Sequence, residues 1–148
     1  KAIKKSSIKV FVYSGFGGNL LGEELLGIGK LFLHVHGGYL PDFPGSTSNY
    51  YSLLANQTVG ASAIILTANI DGGPILCRKT FEPPHQLNHF DHIFDPAIRS
   101  RVLVDAIGYL RDVGDAFFED KQKPHQGMYY VIHPVLKHLA IMQNLHKG

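Results

Sequence analysis

Apolar and polar positions along the chain change period several times, and each change marks an element. Ile8-Lys-Val-Phe-Val-Tyr13 alternates weakly, is rich in β-branched and aromatic residues, and stops at Ser14-Gly15-Phe16-Gly17-Gly18, which predicts a buried strand and a flexible turn. From Leu20 to Ile28, residues Leu21, Leu25 and Ile28 share one helical face. Glu23-Glu24 lie near its start and Gly29 follows its end, so a short helix is expected there. Lys30-Leu-Phe-Leu-His34 is the next strand, and strand-helix-strand order implies a parallel pair with a right-handed crossover. Ser48-Asn49 can cap a helix running through Asn56. Ala61 to Leu66 and Ile75 to Phe81 read as two further strands joined by the turn that carries Asp71. Asp95-Pro96 is a cap with Pro at the first helical position. Ile98, Val102, Ala106 and Tyr109 then recur about once per turn up to Gly114, predicting a long helix over the sheet. Residues 115–127 are polar and loop-like, and Pro134 opens a last amphipathic helix through Val135, Leu139 and Met142. The expected architecture is α/β with a mainly parallel sheet: an α/β unit over residues 1–114, and a helical extension over residues 115–148 packed on the same domain.

Composition narrows the class. A chain of 148 residues is one domain by size and long enough to bury a core. With 45% hydrophobic and 18% charged residues, it is neither disordered nor membranous in character. No apolar run approaches the ~20 residues that span a bilayer, and no signal peptide is visible. A formal charge of +2 is too small to indicate nucleic acid, and Lys1, Lys4 and Lys5 read as a solvated terminus. The single cysteine, Cys77, rules out an internal disulfide framework. It sits in an apolar run as a strand residue rather than a nucleophile, and a reducing, cytoplasmic location is expected. The chain begins with Lys rather than Met, only a few residues before its first strand, as a processed product or a fragment does.

Two segments carry candidate chemistry: His34-Val-His36-Gly-Gly-Tyr-Leu-Pro-Asp-Phe-Pro-Gly45 and Asn69-Ile-Asp71-Gly-Gly-Pro-Ile-Leu76. They put two imidazoles and a carboxylate at consecutive strand ends, where open α/β sheets place their sites, with glycine pairs that let the backbone bend and a ligand approach. Acyl transfer to an amine needs a group that holds the developing oxyanion and a group that takes the amine proton. An imidazole with a carboxylate beside it suits that work. Each residue alone is ambiguous, since a histidine ending a strand is often structural and an aspartate before Gly-Gly is commonly a turn residue. His85-Gln-Leu-Asn-His89-Phe-Asp-His92 invites a metal reading beside His34-x-His36. Pro83-Pro84 before it and Asp95-Pro96 after it favour a loop of solvated histidines, so no metal is expected. His133 is placed at a helix start, and His125, His138 and His146 are placed on the surface.

The two segments together resemble the 10-formyltetrahydrofolate-dependent formyltransferases, such as glycinamide ribonucleotide and methionyl-tRNA formyltransferases. Their signature is Asn-x-His-Pro-Ser-Leu-Leu-Pro, a Gly a few residues on, and Leu-Asp-Gly/Thr-Gly about 35 residues downstream. His36, Leu40, Pro41, Gly45 and Asp71-Gly72-Gly73-Pro74 fall at matching positions, and Ser14-Gly15-Phe16 matches the end of the preceding strand. The resemblance covers roughly residues 8–80. Two positions depart from it: His34 stands for the family's Asn, and Gly37 for its Pro. The phosphate-binding strand-loop-helix and two further strands that open the family domain would precede residue 1. The resemblance implies a partial formyltransferase-type domain that moves a formyl group from 10-formyltetrahydrofolate to an amine. In it His36 is the electrophilic helper, Asp71 its partner and the organiser of proton transfer through water, and His34 a substitute for the amide that holds the formyl oxygen. It also implies folate contacts along Gly15, Phe16, Gly17 and Leu20 and along Leu66, Ala68 and Asn69, mostly through backbone groups and apolar walls. The alternatives are hydrolysis of the same folate with water as acceptor, and a non-catalytic folate-binding or interaction module.

Overall fold

A computed structural model describes residues 2–15, 20–113 and 129–145 of the chain. Ten elements follow one another: α1 (Ala2–Lys5), β1 (Val10–Val12), α2 (Glu23–Leu26), β2 (Leu31–His36), α3 (Ser48–Asn56), β3 (Val59–Ile65), β4 (Ile75–Phe81), a π-helical turn (Phe90–Phe94), α4 (Asp95–Val113) and α5 (Pro134–Leu145). The four strands form one sheet in the order β1-β2-β3-β4.

The sheet is mixed, which corrects the expectation of a mainly parallel one. β1 and β2 run parallel as expected, with Phe11 beside Phe32. β2 and β3 are antiparallel, with His34 opposite Ile64 and His36 opposite Ser62, and β3 and β4 are antiparallel as well. The connections explain this. A parallel crossover needs a dozen or more residues and a helix long enough to return to the far end of the sheet. The Leu66–Pro74 link between β3 and β4 is too short for that. Between β2 and β3, the nine residues of α3 span only about 14 Å, and the chain re-enters the sheet beside the end it left.

Side-chain alternation gives the sheet two distinct faces. Leu33 and Val35 of β2 and Val59, Ala61, Ala63 and Ile65 of β3 join the apolar core with Tyr50 and Leu53 of α3 and Ile98, Val102 and Ala106 of α4. The four-residue spacing in α4 thus does what the sequence expects, although Tyr109 lies largely exposed. The alternate positions of β2 carry Phe32, His34 and His36, and opposite them stand Ser62 and Ile64. β3 is buried over its whole length, whereas the edge strand β4 exposes Arg78, Lys79 and Thr80, charges that discourage edge pairing.

Several boundaries move. The helix expected over 20–28 contracts to Glu23–Leu26, because Gly22 offers no side-chain cap and Gly27 closes it after one turn with its N–H on the Glu23 carbonyl. β2 extends to His36, so this histidine belongs to the strand and the chain turns only at Gly37-Gly38. α3 keeps the expected range, but its N-cap is Thr47 in the left-handed region, with φ 52°. Ser48 Oγ donates to the Gly45 carbonyl and Asn49 turns to other partners. α4 and α5 match their expected ranges closely, and residues 115–127 lie outside the described residues. Tyr129 forms a bridge with Gly45: its N–H donates to the Pro44 carbonyl, and its own carbonyl accepts from Ser46. The segment 129–145 thus holds the loop after β2 and sets α5 against α3. Among the described residues, no helix is long and apolar enough to cross a membrane.

Candidate active site

His36 and Asp71 meet. His36 Nδ1 lies 3.4 Å from Asp71 Oδ1, and both residues are buried. Because β2 and β3 are antiparallel, the loop after β3 starts level with Leu33 rather than with His36. It reaches the histidine through a turn in which Gly72 N–H donates to the Asn69 carbonyl and Asp71 takes φ 52°, a left-handed conformation that Asp and Asn tolerate better than most residues. Asp71 Oδ2 accepts the Gly45 N–H at 2.7 Å, so the carboxylate ties the loop after β2 to the loop after β3.

The other face of the His36 ring is also occupied. Nε2 stands 2.9 Å from the Phe43 carbonyl oxygen. A carbonyl only accepts, so Nε2 carries a hydrogen and donates to it. The longer contact is the one to Asp71, and Nδ1 is the side on which a substrate oxygen or a water can enter. Ser62, opposite His36, braces the same loop: its Oγ donates to the Gly38 carbonyl at 2.8 Å and accepts the Leu40 N–H at 2.9 Å. Gly38 has no room for a side chain, since a Cβ there would meet His36 Nε2 and the Phe43 carbonyl.

His34 sits two residues earlier on the same face of β2, with Nδ1 3.1 Å from the Tyr13 carbonyl at the end of β1. Burial lowers its pKa below the ordinary 6.5, and the charges of Arg99 and His36 add to this; the Tyr13 carbonyl and Asp71 oppose it. In the unfolded chain the imidazole binds a proton near pH 6.5, while the folded site resists it. In that window the unfolded state holds more protons, so this contribution to stability is complete above pH 6.5 and is lost as pH falls below it. Denaturant titrations between about pH 7.5 and about pH 5 should show stability falling with acidification, and the slope should flatten in His34→Gln. An unchanged slope in that variant would show that His34 protonates as freely in the fold as outside it.

These groups open onto a cavity of about 930 Å³. Of the positions expected to hold folate, Gly15, Leu20, Leu66, Ala68 and Asn69 line it, while Phe16 and Gly17 lie outside the described residues. The cavity lining also includes residues that the sequence marks, if at all, only as helix caps. Asn49 Nδ2 donates to Asp95 Oδ1 at 2.9 Å, and its Oδ1 accepts the Gly60 N–H at 2.7 Å. Arg99 Nε donates to the Val35 carbonyl between the two histidines, and Nη1 lies 3.5 Å from Asp95 Oδ2. Tyr50 donates its hydroxyl to Asp91, and burial followed by that carboxylate holds the phenol above its usual range. For the brace on the loop after β2, the lone Ser in Ala61-Ser62-Ala63 is a sequence signal, because a hydroxyl in a fully buried strand must find partners.

The other candidates do not enter the site. His85, His89 and His92 are exposed, His92 within the π-helical turn rather than a loop, and among the described residues no three metal-ligating side chains come together. His133 Nδ1 accepts the Val135 N–H at the start of α5, His138 is exposed, and His125 and His146 lie outside the described residues. Cys77 is half-buried with its thiol pushed up by burial, the opposite of an activated nucleophile.

No family model matches the sequence, and no curated protein matches it. Solved structures do. A methionyl-tRNA formyltransferase from Clostridium thermocellum is similar with a TM-score of 0.62 at 17% identity, over 86% of this chain and 53% of that one. The chain has the fold of the formyltransferases. A phosphoribosylglycinamide formyltransferase from Campylobacter jejuni gives a TM-score of 0.61 at 21% identity, over 74% of this chain and 58% of the other. HypX from Aquifex aeolicus, in complex with tetrahydrofolic acid, gives 0.56 at 12% identity, over 86% of this chain and 22% of its own. The chain thus spans about a fifth to under two thirds of these formyltransferase-fold proteins.

Proposed function

We propose that this chain transfers the formyl group of 10-formyltetrahydrofolate to an amine, within a site built on residues 1–114 and braced by the extension over residues 115–148. The observation that carries the reading is the buried His36–Asp71 pair at 3.4 Å in the wall of a cavity large enough for a folate. A pterin is flat and hydrogen-bonds along its edge. Leu20 and Leu66 offer apolar surface, and Gly15, Ala68 and Asn69 line the same cavity, where their backbone groups can serve the pterin edge. His36 donates from Nδ1 to the formyl oxygen as charge develops there, with Nε2 anchored on the Phe43 carbonyl. Asp71 faces the same ring nitrogen, orients the imidazole and orders water for proton transfer. Buried histidine and carboxylate thereby supply the charge and proton handling without a metal. A small-molecule amine and a folate are the partners, and the half-buried thiol of Cys77 suits a reducing cytoplasm.

The test is incubation of the chain with 10-formyltetrahydrofolate, with and without hydroxylamine as a small amine probe, following both tetrahydrofolate and formate. Formylated hydroxylamine is the expected product, and prior treatment with a chelator should leave the rate unchanged. Formate released equally with and without the amine would make the chain a hydrolase instead. Saturable folate binding with no turnover would make it a binding module.

A further inference from the structure

We propose that His34 is the proton acceptor of the site, taking a proton from the attacking amine at Nε2, rather than a donor to the formyl oxygen. This rests on the formyl-transfer reading. A backbone carbonyl sets the tautomer. His34 Nδ1 is 3.1 Å from the Tyr13 oxygen, which has only lone pairs to offer, so the ring hydrogen sits on Nδ1. The Tyr13 N–H donates to the Leu33 carbonyl at 2.7 Å, so the β1–β2 ladder runs up to the residue that supplies this acceptor. A neutral imidazole has one hydrogen, so Nε2 is left with a lone pair, and the side chain lines the cavity. An amide in this position would offer two N–H donors; a neutral His34 held in this way offers none to the substrate.

The groups around His34 favour its neutral form. Burial disfavours a second proton most, Arg99 from α4 and His36 from the same strand add to this, and the Tyr13 carbonyl and Asp71 from the loop after β3 oppose it. His36 is in the converse position, since both of its nitrogens face acceptors, the Phe43 carbonyl and Asp71. Two imidazoles two residues apart are therefore divided by their surroundings into a donor and an acceptor, an arrangement that assigns acid and base roles.

The step balances with these groups alone. The amine nitrogen forms a bond to the formyl carbon while the C=O pair moves to oxygen beside His36. His34 Nε2 takes the proton that the amine nitrogen sheds. The pair then returns from oxygen, the bond from the formyl carbon to the folate nitrogen breaks, and His34 passes its proton to that nitrogen. A formamide and tetrahydrofolate leave, and His34 is again neutral.

Two measurements on the full chain test this. Long-range proton–nitrogen correlation spectra, with His34 assigned through His34→Gln, should show a protonated Nδ1 and a bare Nε2 at neutral pH. A protonated Nε2 overturns the proposal without any reference to activity. With 10-formyltetrahydrofolate and hydroxylamine, His34→Ala and His34→Asn should both lose about 100-fold or more in kcat and lose the acid limb of the pH profile, while folate affinity stays near that of the unaltered chain. His34→Asn turning over at the original rate would show that an amide donor suffices, and would overturn the base. An unaltered chain that binds folate but transfers nothing overturns the formyl-transfer reading itself, and the kinetic role of His34 with it.

Discussion

Asp71→Asn should lower formyl transfer by on the order of 10³-fold while the protein stays folded. The substitution is the informative one because of the backbone. Asp71 sits at φ 52°, where Asn is accommodated and Ala is strained, so the turn that delivers the side chain survives. The amide oxygen of Asn can still accept the Gly45 N–H, which fixes its orientation and turns its NH₂ towards His36 Nδ1. An NH₂ donates, so Nδ1 must accept, and His36 is held as the tautomer with hydrogen only on Nε2, already given to the Phe43 carbonyl. Nothing on the ring then faces the formyl oxygen with a proton. His36→Ala removes the ring altogether, leaves the Phe43 carbonyl without its donor, and should be at least as damaging. Steady-state rates with 10-formyltetrahydrofolate and hydroxylamine, set beside thermal melts of each variant, separate lost chemistry from lost structure. An Asp71→Asn protein with unaltered turnover would show that this carboxylate serves only to join the two loops.

The largest expected change in stability lies two residues further on. Gly73→Ala should destabilise the protein by about 3 kcal/mol and lower its melting temperature by roughly 10 °C. A Cβ at Gly73 would overlap the Ile65 carbonyl oxygen, and because both are backbone no rotamer change relieves it. Either Ile65 moves, weakening the bond from its N–H to the Pro74 carbonyl at the mouth of the β3–β4 hairpin, or the turn opens and carries Asp71 away from His36. Activity should therefore fall together with the melting temperature. Gly108→Ala is the contrast. Gly108 lies inside α4, and beyond its chain neighbours and the backbone of its own helix no atom of the described residues stands within 4 Å of where its Cβ would be, so the change should stabilise by about 0.5–1 kcal/mol through helix propensity. Equal melting temperatures for Gly73→Ala and the unaltered chain would show that the hairpin mouth yields without cost.

Local signals in the sequence determined the elements. The strand Ile75–Phe81, the Asp95-Pro96 start of α4, the helix after Pro134 and the Ser48–Asn56 helix all lie where their patterns placed them, because periodicity and punctuation act over a few residues. His36 and Asp71 were legible as a pair through their flanking Gly and Pro residues. Tertiary structure decided what depends on partners distant in the chain. The direction of β3 against β2 was invisible, since a buried apolar strand reads the same parallel or antiparallel, and it is settled where the chain re-enters the sheet after the short α3. The contraction of α2 follows from two glycines, Gly22 and Gly27, whose effect its apolar spacing conceals. The contact of Asn49 with Asp95, which Arg99 also approaches, joins α3 to α4 across 46 residues, and the cap signals at both residues say nothing of it. The proton on His34 is the clearest case. Residue type supplies an imidazole that can donate or accept, and a carbonyl 21 residues away, at the end of the β1–β2 ladder, decides which nitrogen holds the hydrogen.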